Sequence, residues 1–176
     1  KIITDDKNIY EELQQLYAGN PDILSKIRFY ENDAISLGTL YSFETQIQRA
    51  ISERVWMKSG AYLIIQPTEA LTVIDVNSGK NTSGKNAEEY YYKINLEAAS
   101  EISRQLRLRN ISGIVIVDFI NMAKEEQRKE LMHQFRLSLK EDPVPVRLVD
   151  ITKLGLVELT RKKERKTLLE QVAQLR

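Results

Sequence analysis

Gly113-Ile-Val-Ile-Val-Asp-Phe-Ile120 is the stretch on which the fold of this chain turns. Its nearly continuous β-branched run predicts a strand over Gly113–Phe119, buried on both faces and set in the middle of a sheet. On the amino-terminal side, Asn86-Ala-Glu-Glu89 has the pattern of a capping box and opens a long helix over about Ala87–Leu108, which Asn110-Ile-Ser-Gly113 closes. On the carboxyl-terminal side, Leu131, Phe135 and Leu139 recur at four-residue spacing and predict a helix over Lys124–Lys140, ended by Asp142-Pro-Val-Pro145. Val146–Ile151 and Leu156–Leu159 then read as two strands about a turn at Gly155. Further upstream, Trp56, Tyr62–Ile65 and Val73–Val76 make Val55–Asn77 an antiparallel pair or meander, with turns at Ser59-Gly60 and Pro67-Thr68-Glu69. The order from residue 55 is β, β, α, β, α, β, β, an α/β fold with a mixed sheet covered by helices.

Residues 1–50 read separately as β-α-β-α. A capping box at Asn8-Ile-Tyr-Glu11 opens a helix that stops near Gly19-Asn20-Pro21, Ile27–Tyr30 is a short strand, and Phe43–Val55 returns to helical spacing through Phe43, Ile47 and Ile51. A domain break is therefore expected near residue 50, dividing 1–50 from 51–176.

The 176 residues, 42% of them apolar and 29% charged, suffice for a core and exclude a disordered or low-complexity chain. With 26 Lys and Arg against 25 Asp and Glu, net charge names no partner, and any nucleic-acid contact must come from local clustering. The absence of cysteine excludes disulfides, thiolate zinc sites and a cysteine nucleophile, and the single His133 excludes multi-histidine metal sites. Apolar runs stop far short of the ~20 residues that span a bilayer. The chain begins at Lys1 and reads as a piece of something longer.

Chemistry is left to carboxylates. Asp75 in Leu71-Thr-Val-Ile-Asp-Val-Asn77 and Asp118 in the decisive stretch each follow a buried-type strand, where an ionised acid needs a partner or a metal. Strand alternation puts Asn77 on the face of Asp75, placed to orient it or to ligate through its carbonyl. An all-oxygen site of this kind suits Mg²⁺ or Mn²⁺. Taken singly, each acid can equally be a turn-forming residue at a strand end.

The cations admit two readings as well. Arg104, Arg107 and Arg109 either complement a helix carboxyl terminus or contact phosphate. Arg161, Lys162, Lys163, Arg165 and Lys166, at the start of a terminal helix, form either a solvated face or a backbone-phosphate contact. Lys80 and Lys85 flank the loop after Asp75, where a polyanion would meet them. Their glycines lack Walker A spacing. Tyr90, Tyr91 and Tyr92 point in different directions along a helix and cannot form one stacking platform.

Four stretches in this order, Glu69-Ala-Leu-Thr-Val-Ile-Asp-Val-Asn-Ser78, Asn95-Leu-Glu-Ala-Ala99, Ile102-Ser-Arg-Gln-Leu-Arg-Leu-Arg109 and Gly113–Met122, closely resemble the ribonuclease E/G family of bacterial endoribonucleases. The likeness is strongest over about residues 54–160. It implies a DNase I-like catalytic subdomain over 51–176, preceded by part of an RNase H-like subdomain over 1–50. It further implies that Asp75 and Asp118 bind a catalytic Mg²⁺ and that Asn77 is an active-site residue. The implied activity is hydrolysis within single-stranded RNA to 5′-phosphate and 3′-hydroxyl ends, in RNA processing and decay in the bacterial cytoplasm. Lys80, Lys85 and Arg107 are the expected RNA-backbone contacts.

The family's OB-fold barrel, its 5′-monophosphate pocket and the cysteine pair of its zinc-linked dimer have no recognisable counterpart here. A zinc site and a zinc-linked dimer are not expected of this chain, and its RNA affinity should be weak. Asn121 stands where many relatives carry Asp. A noncatalytic RNA-binding or assembly module that keeps the fold is the alternative reading.

Overall fold

The computed structural model describes residues 1–79 and 87–174, which fall into two compact units, Lys1–Arg49 and Ala50–Arg176. In the first, β1 (Ile2–Thr4) pairs in parallel with β2 (Ile27–Phe29) across α1 (Lys7–Leu16) and the short α2 (Pro21–Leu24); α3 (Leu37–Leu40) and α4 (Phe43–Ile51) follow. The cap of α1 is Asp6 rather than the expected Asn8. The Asp6 carboxylate accepts from the Asn8 and Ile9 amides at 2.8 and 3.1 Å, so Asn8 itself is already helical. The last helix ends at Ile51, not at Val55.

The second unit is a six-stranded mixed sheet with helices against it, the α/β class expected. Its elements are β3 (Arg54–Trp56), β4 (Tyr62–Pro67), β5 (Leu71–Asn77), α5 (Ala87–Arg109), β6 (Gly113–Asp118), α6 (Glu125–Leu139), β7 (Val146–Ile151), β8 (Val157–Arg161) and α7 (Leu168–Gln174). The spatial order is β3-β4-β5-β6-β8-β7. β3, β4 and β5 form an antiparallel meander, α5 carries the chain over to β6 in parallel with β5, and β8 lies antiparallel between β6 and β7.

One face of this sheet makes the core. Leu63, Ile65, Ile74, Val76, Val115, Val117, Val157 and Leu159 pack there against Ile94, Ala98, Ile102 and Leu106 of α5 and Leu131 and Phe135 of α6. The strand over 113–118 is central, as its sequence predicts, but it is not buried on both faces. Val115 and Val117 are fully buried, whereas Ile114 is 49% exposed. Its β-branched run met only one layer of helices, so its side chains alternate between core and surface. Among the described residues, no helix is long and apolar enough to cross a membrane.

Candidate active site

The alternation that buries Thr72, Ile74 and Val76 of β5 turns Leu71, Val73, Asp75 and Asn77 to the opposite face, and Asp75 is exposed. Asp118, the last residue of β6, is exposed as well. The desolvation expected of these acids is therefore absent; they stand on the open face instead of inside the strand layer. What joins them is register. β5 and β6 run parallel with Asp75 opposite Asp118, so two carboxylates leave the same face from strands about 4.8 Å apart. Asn77, two residues on and on that same face, donates from Nδ2 to Asp75 Oδ2 at 2.7 Å, which restrains the carboxylate's rotation. All three lie toward the carboxyl ends of parallel strands, where open α/β sheets build their sites.

The supports of this corner come from α5. Asn95 is fully buried; its Nδ2 donates to the Ile120 carbonyl at 2.7 Å, and its Oδ1 accepts from the Ile120 amide at 3.0 Å. The segment just beyond Asp118 is thereby clamped to the helix. Two positions on, the Glu97 carboxylate accepts from the Lys58 and Ser59 amides at 2.8 and 3.3 Å and holds the turn between β3 and β4. Ala98 and Ala99, at 0% and 1% exposure and next along the helix, let it approach the sheet closely beside these clamps. Sequence reasoning gave Asn95-Leu-Glu-Ala-Ala99 no structural task; an uncharged amide on the buried stripe of an amphipathic helix was the available signal. Beyond Asn77, Gly79 adopts φ +70°, and a Cβ there would overlap the Gly60 carbonyl oxygen. Only glycine lets β5 leave past that turn.

The basic candidates separate. Lys80 and Lys85 lie outside the described residues. Arg107 is on α5, twelve residues beyond Asn95 and so about 18 Å further along the helix axis, 3.7 Å from Glu141. The structure does not bring it to the carboxylates. Arg104 forks onto Glu101 at 2.9 and 2.6 Å, and Arg109 is buried, donating to Gln105 and to the Ser52 carbonyl. Arg161 does not begin a terminal helix. It ends β8 as a buried ion pair with Asp142, Nε to Oδ2 at 2.8 Å and Nη2 to Oδ1 at 3.1 Å, with Nη1 donating to Asn110 and to the Ile111 carbonyl. Burial pushes the Asp142 carboxyl up, but hydrogen bonds from Arg161 and the Val144 amide, with the charges of Arg161 and Arg107, outweigh it and hold the carboxyl below its ordinary value. Arg109 and Arg161 brace the far end of the sheet.

Tyr90 and Tyr92 pack against the core, and His133 is exposed on α6. Asn121 is exposed and lines a cleft with Met122, Arg128 and Lys153. Glu158, which sequence reasoning passed over, lies on the open face of β8 opposite Ile116, diagonal to Asp118; the alternation of Val157 and Leu159 around it was the signal.

Among the described residues no group of three or more His, Asp or Glu side chains gathers as a metal cage. Asp75 and Asp118 offer oxygen donors only, exposed and side by side. That donor set fits a hard cation that keeps most of its waters, the usual habit of Mg²⁺.

The sequence profile described as the Ribonuclease E/G family matches residues 1–164. The chain is similar to ribonuclease G of Salmonella typhimurium, with 39% identity over 168 residues that make up 95% of this chain and 34% of the relative. Ribonuclease E of Escherichia coli K12 is 37% identical over 165 residues, 93% of this chain and 16% of that protein. Ribonuclease E of Synechocystis is 44% identical over 142 residues, 81% of this chain and 21% of that protein. The chain spans about a third, 34%, of the length of the ribonuclease G relatives.

Proposed function

The chain belongs to the Ribonuclease E/G family, and we propose that it is the catalytic region of a Mg²⁺-dependent endoribonuclease acting on single-stranded RNA in RNA processing and decay in the cytoplasm. The observation that carries this reading is the register of Asp75 against Asp118, which puts two carboxylates side by side on an open face. Residues 51–176 would be its DNase I-like catalytic subdomain and 1–50 part of an RNase H-like one.

Asp75 and Asp118 would hold Mg²⁺, or Mn²⁺ in its place. When bound, the ion supplies positive charge for the phosphoryl oxygens and activates water. Asn77 keeps Asp75 in one orientation, and the Asn95 clamp fixes the chain beyond Asp118, so both acids are set before RNA arrives. In the hydrolysis a water oxygen bonds to phosphorus as the bond from phosphorus to the 3′-oxygen breaks. The 3′-oxygen takes up a proton, which leaves a 3′-hydroxyl upstream and a 5′-phosphate downstream. Lys80 and Lys85, which follow the Asp75 motif in the sequence, would meet the RNA backbone, whereas Arg107 would reach only a stretch of RNA well away from the carboxylates.

The test incubates the purified chain with a 5′-monophosphorylated single-stranded RNA and Mg²⁺, beside Asp75→Asn and Asp118→Asn. Cleavage to 5′-phosphate ends that drops at least 100-fold in each variant is expected. Cleavage surviving in both variants would remove these residues from the site. RNA binding without cleavage by the intact chain would favour the noncatalytic module.

A further inference from the structure

The open sheet face carries a second cluster in line with the carboxylates. Strand register arranges Trp56, Tyr62 and Asn77 in one row across β3, β4 and β5, and Arg54, Ile64, Asp75 and Asp118 in the next row, continuing to β6. Trp56 and Tyr62 hold their rings 5.0 Å apart, and the Arg54 guanidinium carbon lies 4.7 Å from the Tyr62 ring centre and 5.6 Å from that of Trp56. Trp56 is nonetheless 63% exposed. A large ring this exposed, set beside a tilted tyrosine on the neighbouring strand and flanked by a guanidinium, contributes little to the core, which lies on the opposite face.

We propose that Trp56, Tyr62 and Arg54 form a base-stacking subsite for single-stranded RNA on the face that bears Asp75 and Asp118. The choice of RNA as occupant rests on the nuclease reading above, on the exposed indole of Trp56 and on the cation beside it, which together match a nucleobase and its phosphate. Every base has a π-face, so the subsite reads no sequence; it excludes duplex RNA, whose bases are already stacked. β3 is two strands from β5, about 10 Å, a span of about three nucleotides at ~3.4 Å per stacked nucleotide. A base held on Trp56 therefore fixes how the strand crosses the carboxylate pair.

Trp56 is the sole tryptophan of the chain, so its fluorescence reports on this subsite alone. The experiment titrates the full chain, without Mg²⁺, with a ten-nucleotide 2′-O-methyl oligoadenylate, and with an abasic oligomer of the same length and charge. Saturable quenching by the oligoadenylate and none by the abasic oligomer is expected. By fluorescence anisotropy of a labelled oligomer, Trp56→Ala should weaken binding about tenfold or more, while Trp56→Phe keeps most of it. Unchanged emission, equal quenching by the abasic oligomer, or unaltered affinity in Trp56→Ala would overturn the subsite. So would an emission shift that follows protein concentration alone, which would mark the patch as a surface between copies of the chain. Repeating the titration in Asp75→Asn separates the two readings. Quenching there without cleavage by the parent chain keeps the subsite and removes the nuclease, and cleavage without quenching does the reverse.

Discussion

Asn95→Leu should destabilise the second unit more than any surface change near the site. The side chains are similar in volume and Asn95 is fully buried, so no cavity opens and the loss is polar. Two hydrogen bonds disappear, 2.7 Å to the Ile120 carbonyl and 3.0 Å from its amide. Each buried bond contributes about 0.5–1.5 kcal/mol net, and each backbone group left unpaired costs about 1–3 kcal/mol. Ile120 is half-buried, so water recovers part of that cost, and about 2–4 kcal/mol remains. At about 2–4 °C per kcal/mol for a chain of this size, Tm should fall by roughly 4–16 °C. Urea unfolding followed by circular dichroism measures the free energy, and Asn95→Asp serves as the control. An ionised Asp at this fully buried position would set its second oxygen against the Ile120 carbonyl. Asn95→Asp should therefore cost at least as much as Leu at pH 7 and regain stability at low pH, where a protonated carboxyl can again donate. A loss below about 1 kcal/mol in Asn95→Leu would show that α5 does not clamp the segment beyond Asp118.

Two further outcomes follow from the same bracing. Because the folded Asp142 carboxyl lies below its ordinary value, its contribution is complete above about pH 4 and disappears as pH falls through the folded value; urea midpoints should drop in that window, and Asp142→Asn should flatten the acid slope while costing about 3 kcal/mol at pH 7. Gly79→Ala places a Cβ against the Gly60 carbonyl at φ +70° and should cost about 1–3 kcal/mol in the same assay, whereas Gly155→Ala at φ +90°, with open space around it, should cost less.

The sequence revealed which strands exist and where the acids stand along them, because β-branched runs and flanking turns are local signals. β7 matches its expected bounds, and α5 runs one residue past Leu108. Burial was misjudged at Asp75, Asp118 and Ile114, since a run of Val and Ile does not disclose whether one layer or two covers the sheet. Arg161 was grouped with Lys162–Lys166 because charge runs are read along the chain, whereas its partner Asp142 is 19 positions away across a strand. The same limit hid Asn95, whose clamp on Ile120 spans 25 positions. Asp6 displaced Asn8 as the cap because either side chain suits that task, and the choice depends on which one reaches the first free amides. Register alone turned two separate acids into a pair, and register is a property of strand order, not of either motif.

The pairing of Asp75 with Asp118 as one site is tested most directly by Mg²⁺ affinity in a double-mutant cycle, read from NMR chemical-shift titrations of wild type, Asp75→Asn, Asp118→Asn and the double variant. One shared site predicts that each single variant weakens binding at least tenfold and that the double variant is little worse than either. Additive losses from the two substitutions, or saturable binding at wild-type affinity in the double variant, would contradict it.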